Sequence, residues 1–249
     1  MSLTEMSLSD VVKRQYEFKM RAFLGVFISM VGVHLISLLF SLGGMSSSGT
    51  SSSTGISIDV SYYSADIIVI FTMVWIFITG ILITTKSVRY DDFTFVANRL
   101  SSNLANILFL LTASVIGGAA AVLAGFLLKI IIFFVTDIQY STGTSLMGAP
   151  AEFFIAVIAA ILYMILFASL GYLTGMMVQV NKAFIFLLPT LFVGFAVYSG
   201  IRNVKLAKIV FDFIFAESSL LLFAVKVLVL SALFFAASMF LSNRMEVRK

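Results

Sequence analysis

Cysteine is absent from the 249 residues, histidine and tryptophan occur once each, and proline twice. Without cysteine there is no disulfide, no thiol nucleophile and no thiolate metal site. The lone His34 has no second histidine or His-Glu partner with which to hold zinc. Charge is scarce as well. Only 11% of residues are charged, against about 25% in a soluble domain. So little polar surface cannot coat a water-soluble globule. There is no G-x-x-x-x-G-K-[ST] loop to cradle phosphates, no TVGYG-like filter and no nucleophile–base pair. The chain is therefore read as no enzyme in its own right. It is expected to carry no cleaved signal peptide, because its first apolar run of about 21 residues exceeds an h-region of ~7–15.

What is present is apolar. Hydrophobic residues make up 61% of the chain, 26 of them phenylalanine, and the mean hydropathy is +1.11. Six runs are read as membrane spans: residues 22–42, 66–85, 107–134, 150–178, 183–200 and 219–242. Most reach the ~20 residues that a ~30 Å hydrocarbon core requires. The fold class expected is an all-α integral membrane protein with one domain over residues 1–249. Residues 8–21 are expected to form an interfacial amphipathic helix, capped by Ser9, with Asp10 in its first turn. Val12, Tyr16 and Phe23 lie on one side of it, and Lys13, Arg14, Glu17 and Arg21 spread around the other.

Between the first two spans, residues 43–65 are dominated by Ser, Gly and Thr. A mobile loop is expected there, with a short ordered piece around 56–63. In the third span Gly117, Ala121 and Gly125 recur every four residues, and Gly171 and Gly175 do so in the fourth. Small residues at that spacing let a second helix approach closely. Pro150 and Glu152 open the fourth span, and Pro189 kinks the fifth. Residues 201–218 place Arg202, Lys205, Lys208 and Asp212 on one arc of an otherwise apolar helix, read as amphipathic and extracellular.

Basic residues set the orientation. With six spans, eleven of the sixteen Lys and Arg fall on one side, both chain ends included. Both termini are accordingly expected in the cytoplasm. The stretch 86–106 then becomes a cytoplasmic island. It interleaves Lys86, Arg89, Asp91, Asp92 and Arg99 with Tyr90, Phe93, Phe95 and Val96. A mere connection needs no such aromatic content, so it is read as a docking surface; the alternative is an interfacial loop with its aromatics among the headgroups. Inside the spans, Lys226 is a functional candidate by default; the alternative is snorkelling to the outer headgroups. Lys129, Asp66 and Glu152 lie at the same outer level. His34 is read as a packed, hydrogen-bonded side chain.

The ensemble resembles the permease subunit of ABC-2 type transporters: an N-terminal interfacial helix, six spans, a cytoplasmic helix between spans two and three, and an amphipathic helix before span six. The family's exporters dock an ATPase through that cytoplasmic helix, here matched by Asp91, Asp92, Phe93, Phe95, Val96 and Arg99. Many members have an acidic-Gly-Thr-Leu run and a Pro-x-Ser there; this chain has Asp92-Phe93-Thr94 and Arg99-Leu100-Ser101-Ser102. Its small size, lack of cysteine and Ser-rich outer loop resemble Gram-positive permeases that export amphipathic peptides, such as the phenol-soluble modulin exporters of staphylococci. The resemblance implies a multi-pass plasma-membrane protein of a Gram-positive bacterium. It implies a second permease chain, identical or paralogous, and an ATPase dimer that binds ATP and Mg. No nucleic acid is involved. It further implies a cavity lined by spans two and five, with Phe71 and Trp75 on one and Phe184, Leu188 and Phe192 on the other; the alternative is that these face lipid. From a different class, a membrane immunity or sensor protein that binds a peptide or partner without transport shares the same composition.

Overall fold

A computed structural model of the chain describes residues 7–43, 46–51, 57–62, 65–85, 88, 98–135, 150–202, 209, 212–213, 217 and 219–244. Seven helices dominate these residues: α1 (Leu8–Ala22), α2 (Leu24–Leu42), α3 (Asp66–Leu82), α4 (Arg99–Val135), α5 (Pro150–Val180), α6 (Phe184–Arg202) and α7 (Leu220–Arg244). Four contain segments long and apolar enough to cross a membrane: Leu24–Leu42, Arg99–Phe134, Pro150–Val180 and Leu220–Ser242. With α3 as a shorter apolar helix, the chain is a helical, membrane-embedded protein.

The Ser-rich stretch between α2 and α3 holds an antiparallel hairpin. Strand β1 (Ser46–Ser51) pairs with β2 (Ser57–Tyr62), from Ser46 opposite Tyr62 to Ser51 opposite Ser57. Ile58 and Val60 alternate with polar neighbours along β2, the period-2 pattern of a strand. Its partner β1 is almost entirely Ser, Gly and Thr, with no apolar alternation to announce it.

Helix α1 begins at Leu8 as expected, but its cap differs. Ser7, not Ser9, is the cap, its Oγ accepting from the Asp10 backbone N–H at 3.3 Å. The chain bends at Phe23, whose N–H still reaches Lys19 O at 2.9 Å before α2 begins. Lys13, Arg14, Glu17 and Arg21 are exposed. The expected apolar side faces inward, with Val12 buried and Tyr16 and Phe23 packed partly buried against the central apolar cluster, and Gln15 and Lys19 are buried beside it. Helix α1 lies along α4, and the Tyr16 hydroxyl meets Thr112 Oγ1 at 2.9 Å. The aromatic rings of Phe23 and Phe27 stand edge-on to Phe109.

Helix α5 is the hub, packed against α3, α4 and α7. Glycine is what lets it approach so closely. A Cβ on Gly80 of α3 would lie 2.7 Å from Ala168 O and 2.9 Å from Tyr172 N. From the other side, Gly171 meets the Phe77 backbone, and Gly175 meets Ile81 and the Thr84 hydroxyl. Between α4 and α5, a Cβ on Gly118 would lie 2.8 Å from the Ile161 backbone. Gly117, one residue earlier, lies beneath the Trp75 ring. In lipid there is no hydrophobic drive between helices, so backbone-to-backbone packing of this kind carries much of the association.

Hydroxyls within the apolar helices fold back on their own backbone. Thr72, Thr79, Ser114, Ser169 and Ser238 each donate to a carbonyl three or four residues earlier. That satisfies polar groups which hydrocarbon cannot. Two contacts stitch α2 to α3: Trp75 Nε1 donates to Ser29 Oγ at 3.1 Å, and His34 Nε2 lies 3.0 Å from Thr72 Oγ1. The single Thr72 hydroxyl proton is committed to Ile68 O at 2.7 Å. His34 Nε2 is therefore the donor of that pair.

Candidate functional site

The stretch expected to dock a partner connects the end of α3 to the start of α4 in the chain. Asp91, Asp92, Phe93, Phe95 and Val96 lie outside the described residues. What flanks them is well defined. Thr84, buried, donates to Ile81 O at 2.7 Å and touches Gly175, so the end of α3 is held against α5. Val88 is buried in the central apolar cluster. On the far side, α4 opens at Arg99, earlier than the 107 expected from hydropathy. The reason lies in the side chains of residues 101–106. Ser101 Oγ donates to Asn98 O at 2.7 Å, the Ser102 N–H bonds Asn98 O, and no Pro or Gly interrupts the run. Residues 99–106, read as the end of the polar island, are thus the first two turns of α4.

Arg99 is half-buried, and its Nη1 donates to Ser242 O at 3.4 Å, near the end of α7. A cation against the last carbonyls of a helix matches the dipole. The start of α4 is thereby tied to the end of α7.

Just inside lies a buried polar network. Tyr172 on α5 is fully buried, and its hydroxyl donates to Asn103 Oδ1 at 2.9 Å. Asn106 Nδ2 donates back to the Tyr172 oxygen at 3.4 Å, leaving Asn106 Oδ1 without a partner among the described residues. The Tyr172 ring lies 6.0 Å from Phe235 of α7. One side chain therefore joins α4, α5 and α7. Hydropathy conceals this cluster, since asparagine marks a span boundary there. An asparagine pair at i, i+3 facing a tyrosine in a span is the signal that could have found it.

The aromatic wall divides. Trp75 is 5% exposed, held between Ser29 of α2 and Gly117 of α4. Phe71 is half-buried, its ring 5.8 Å from Phe40. Phe184 and Leu188 are half-buried on α6, and the Phe192 side chain lies outside the described residues. No described residue of α6 is buried, and Phe186 is 78% exposed. The structure encloses Trp75 within its own chain and leaves Phe184 and Leu188 of α6 only half-buried.

At the other end of α7, Lys226 pairs with Glu217, and its ammonium sits 4.6 Å from the centroid of the Phe213 ring. Lys129 lies over Phe126 at 5.3 Å, and Asp66 and Glu152 are exposed. The partner of Lys226 is thus Glu217, three residues ahead of its helix. The sequence reading did not single out that carboxylate. No group of three or more His, Cys, Asp or Glu side chains among the described residues could hold a metal. No protein-family model, curated protein or solved structure matches the chain.

Proposed function

We propose that this chain is the membrane-spanning permease subunit of an ATP-driven exporter of the ABC-2 type. It spans the plasma membrane six times with both termini in the cytoplasm. A separate ATPase dimer drives it, and a second permease chain completes the pathway. The cargo is hydrophobic or amphipathic, of peptide class.

The observation that carries this reading is the mechanical setting of the island. The stretch from 86 to 98 joins two helices whose ends are anchored in the same bundle. Helix α3 is held by Gly175 and Thr84 at one side, and α4 by Arg99 and Ser242 at the other. A force that reaches the end of α3 or the start of α4 passes into α5 and α7 through these contacts. Helix α4 then conveys it along 37 residues, about 55 Å at ~1.5 Å per residue. An ordinary membrane connection has no need of that arrangement. The exposed, apolar α6 is what a helix offers to a second chain or to cargo rather than to its own core.

The test is co-purification under mild extraction. Wild type is expected to bring down a nucleotide-binding subunit, and the Phe93→Ala, Phe95→Ala double variant to lose it or its coupled hydrolysis. Absence of any ATPase from the wild-type preparation would overturn the exporter reading.

A further inference from the structure

The Lys226 ammonium has two partners, a carboxylate and an aromatic ring. Lys226 lies in the second turn of α7, and its head returns to Glu217 and the face of Phe213. A carboxylate beside an aromatic face is how proteins recognise a primary ammonium. The charge-assisted hydrogen bond supplies strength, and the ring quadrupole stabilises what remains of the charge. Neither receptor element is sealed. Glu217 is 18% exposed, Lys226 31% and Phe213 47%. Beside them α7 presents Leu221, Leu222 and Val225, all more than half exposed. An ammonium arriving on an apolar body therefore finds a charge partner, a ring and a greasy flank in one place.

We propose that Glu217 and Phe213 form a binding position for a lysine side chain of an amphipathic peptide, which Lys226 occupies as an internal competitor when no peptide is bound. This rests on the exporter reading above and deepens it by naming the chemistry of the cargo. Incoming lysine displaces Lys226 from Glu217 without changing the number of charges in the site. The exchange carries no net desolvation of the carboxylate, and peptides lacking a cationic side chain gain nothing from it. Lys226 thereby sets both the selectivity for cationic cargo and the ease of its release.

The experiment uses the full chain in dodecyl maltoside micelles, which contain no ammonium of their own. The probe is a fluorescent amphipathic helical peptide with three lysines, compared with the same peptide fully acetylated on lysine. An internal competitor that fills a site about nine-tenths of the time weakens apparent affinity about tenfold. Lys226→Met is expected to bind the lysine peptide about tenfold more tightly than wild type, with the acetylated peptide unchanged. Glu217→Gln combined with Lys226→Met, a neutral pair that leaves no buried charge, is expected to erase the gain. Phe213→Leu in the Lys226→Met background removes the ring and is expected to lose part of the gain. Equal affinity of wild type and Lys226→Met for the lysine peptide would overturn the proposal. So would an equal gain for the acetylated peptide, which would mark a merely apolar effect. Binding is read without any ATPase, so failure here is distinguishable from failure to recover a nucleotide-binding partner.

Discussion

Substituting Gly80 by alanine places a methyl group between two backbones. The new Cβ would sit 2.7 Å from Ala168 O, 2.9 Å from Tyr172 N and 3.1 Å from Gly171 C. All three are backbone atoms of α5, so no side chain can rotate away. Ordinary contact begins near 3.4 Å, and the shortfall of about 0.7 Å must be met by moving α3 off α5. A gap of that size forfeits a quarter to a half of each contact. Over about twenty close atom pairs at ~0.15 kcal/mol, roughly 1 kcal/mol is lost. Residual overpacking adds about 1–3 kcal/mol. Alanine returns up to about 1 kcal/mol through helix propensity. The net is a destabilisation of about 2 kcal/mol, or about thirtyfold in the unfolding constant.

Gly32 provides the control. A Cβ there meets nothing within 4 Å. Gly32→Ala keeps the propensity gain and nothing else, so it is expected to be neutral or stabilising. The assay is built into the molecule. Trp75 is the only tryptophan, and it lies on α3 with its ring against Gly117 and its Nε1 on Ser29. Its emission during titration with dodecyl sulfate reports α3 leaving the bundle. Gly80→Ala should unfold at a lower detergent fraction than wild type, and Gly32→Ala should not. Coincident curves for Gly80→Ala and wild type would refute the close-packing argument. Gly80→Ala and Gly171→Ala share one interface, so their double variant should cost less than the two singles combined.

Other substitutions follow the same logic. Tyr172→Phe strands Asn103 Oδ1 and Asn106 Nδ2 in the core and should destabilise by about 1–3 kcal/mol, with Asn103→Leu added to it recovering part of the loss, read by the same titration. Gln15 is 1% exposed with neither amide atom partnered among the described residues, so Gln15→Leu should stabilise the fold by about 1–2 kcal/mol; a destabilised variant would mean that the amide has a partner. Ser29→Ala removes the acceptor of Trp75 Nε1 and should cost about 0.6 kcal/mol, the mean for interhelical hydrogen bonds in membranes, together with a blue shift of the emission.

The helices were legible because run length and hydropathy are what lipid selects. The small-residue faces were legible for the same reason: Gly171 and Gly175 are spaced as a helix contact needs, and that contact is with α3. Their counterpart Gly80 stands alone in its helix and gave no periodic signal. The start of α4 was misplaced because Ser101, Asn103 and Asn106 read as solvent-facing. In the fold their polarity is absorbed by Asn98 O and Tyr172, a partner some 70 residues away that no local window contains. On α1 the expected Val12, Tyr16 and Phe23 do face inward, and two polar residues join them. Gln15 and Lys19 look like surface residues until α4 lies across them. Lys226 stood out as an intramembrane charge, while Glu217 sat among apolar residues at a helix start and drew no attention. The aromatics of α3 and α6 carried no directional information, since phenylalanine serves lipid, core and cavity alike.

The most direct test of ATPase docking is site-specific photocrosslinking in native membranes. A photoreactive residue at Phe93 is expected to capture one polypeptide, identifiable by mass spectrometry as a nucleotide-binding subunit. The same residue at Phe186, 78% exposed on α6, serves as the comparison and is expected not to capture it. Capture of an ATPase from position 93 alone establishes the island as the coupling surface. Efficient crosslinking at 93 to lipid or to a non-ATPase protein, with no ATPase product, would contradict it and bring forward the reading of a non-transporting membrane sensor.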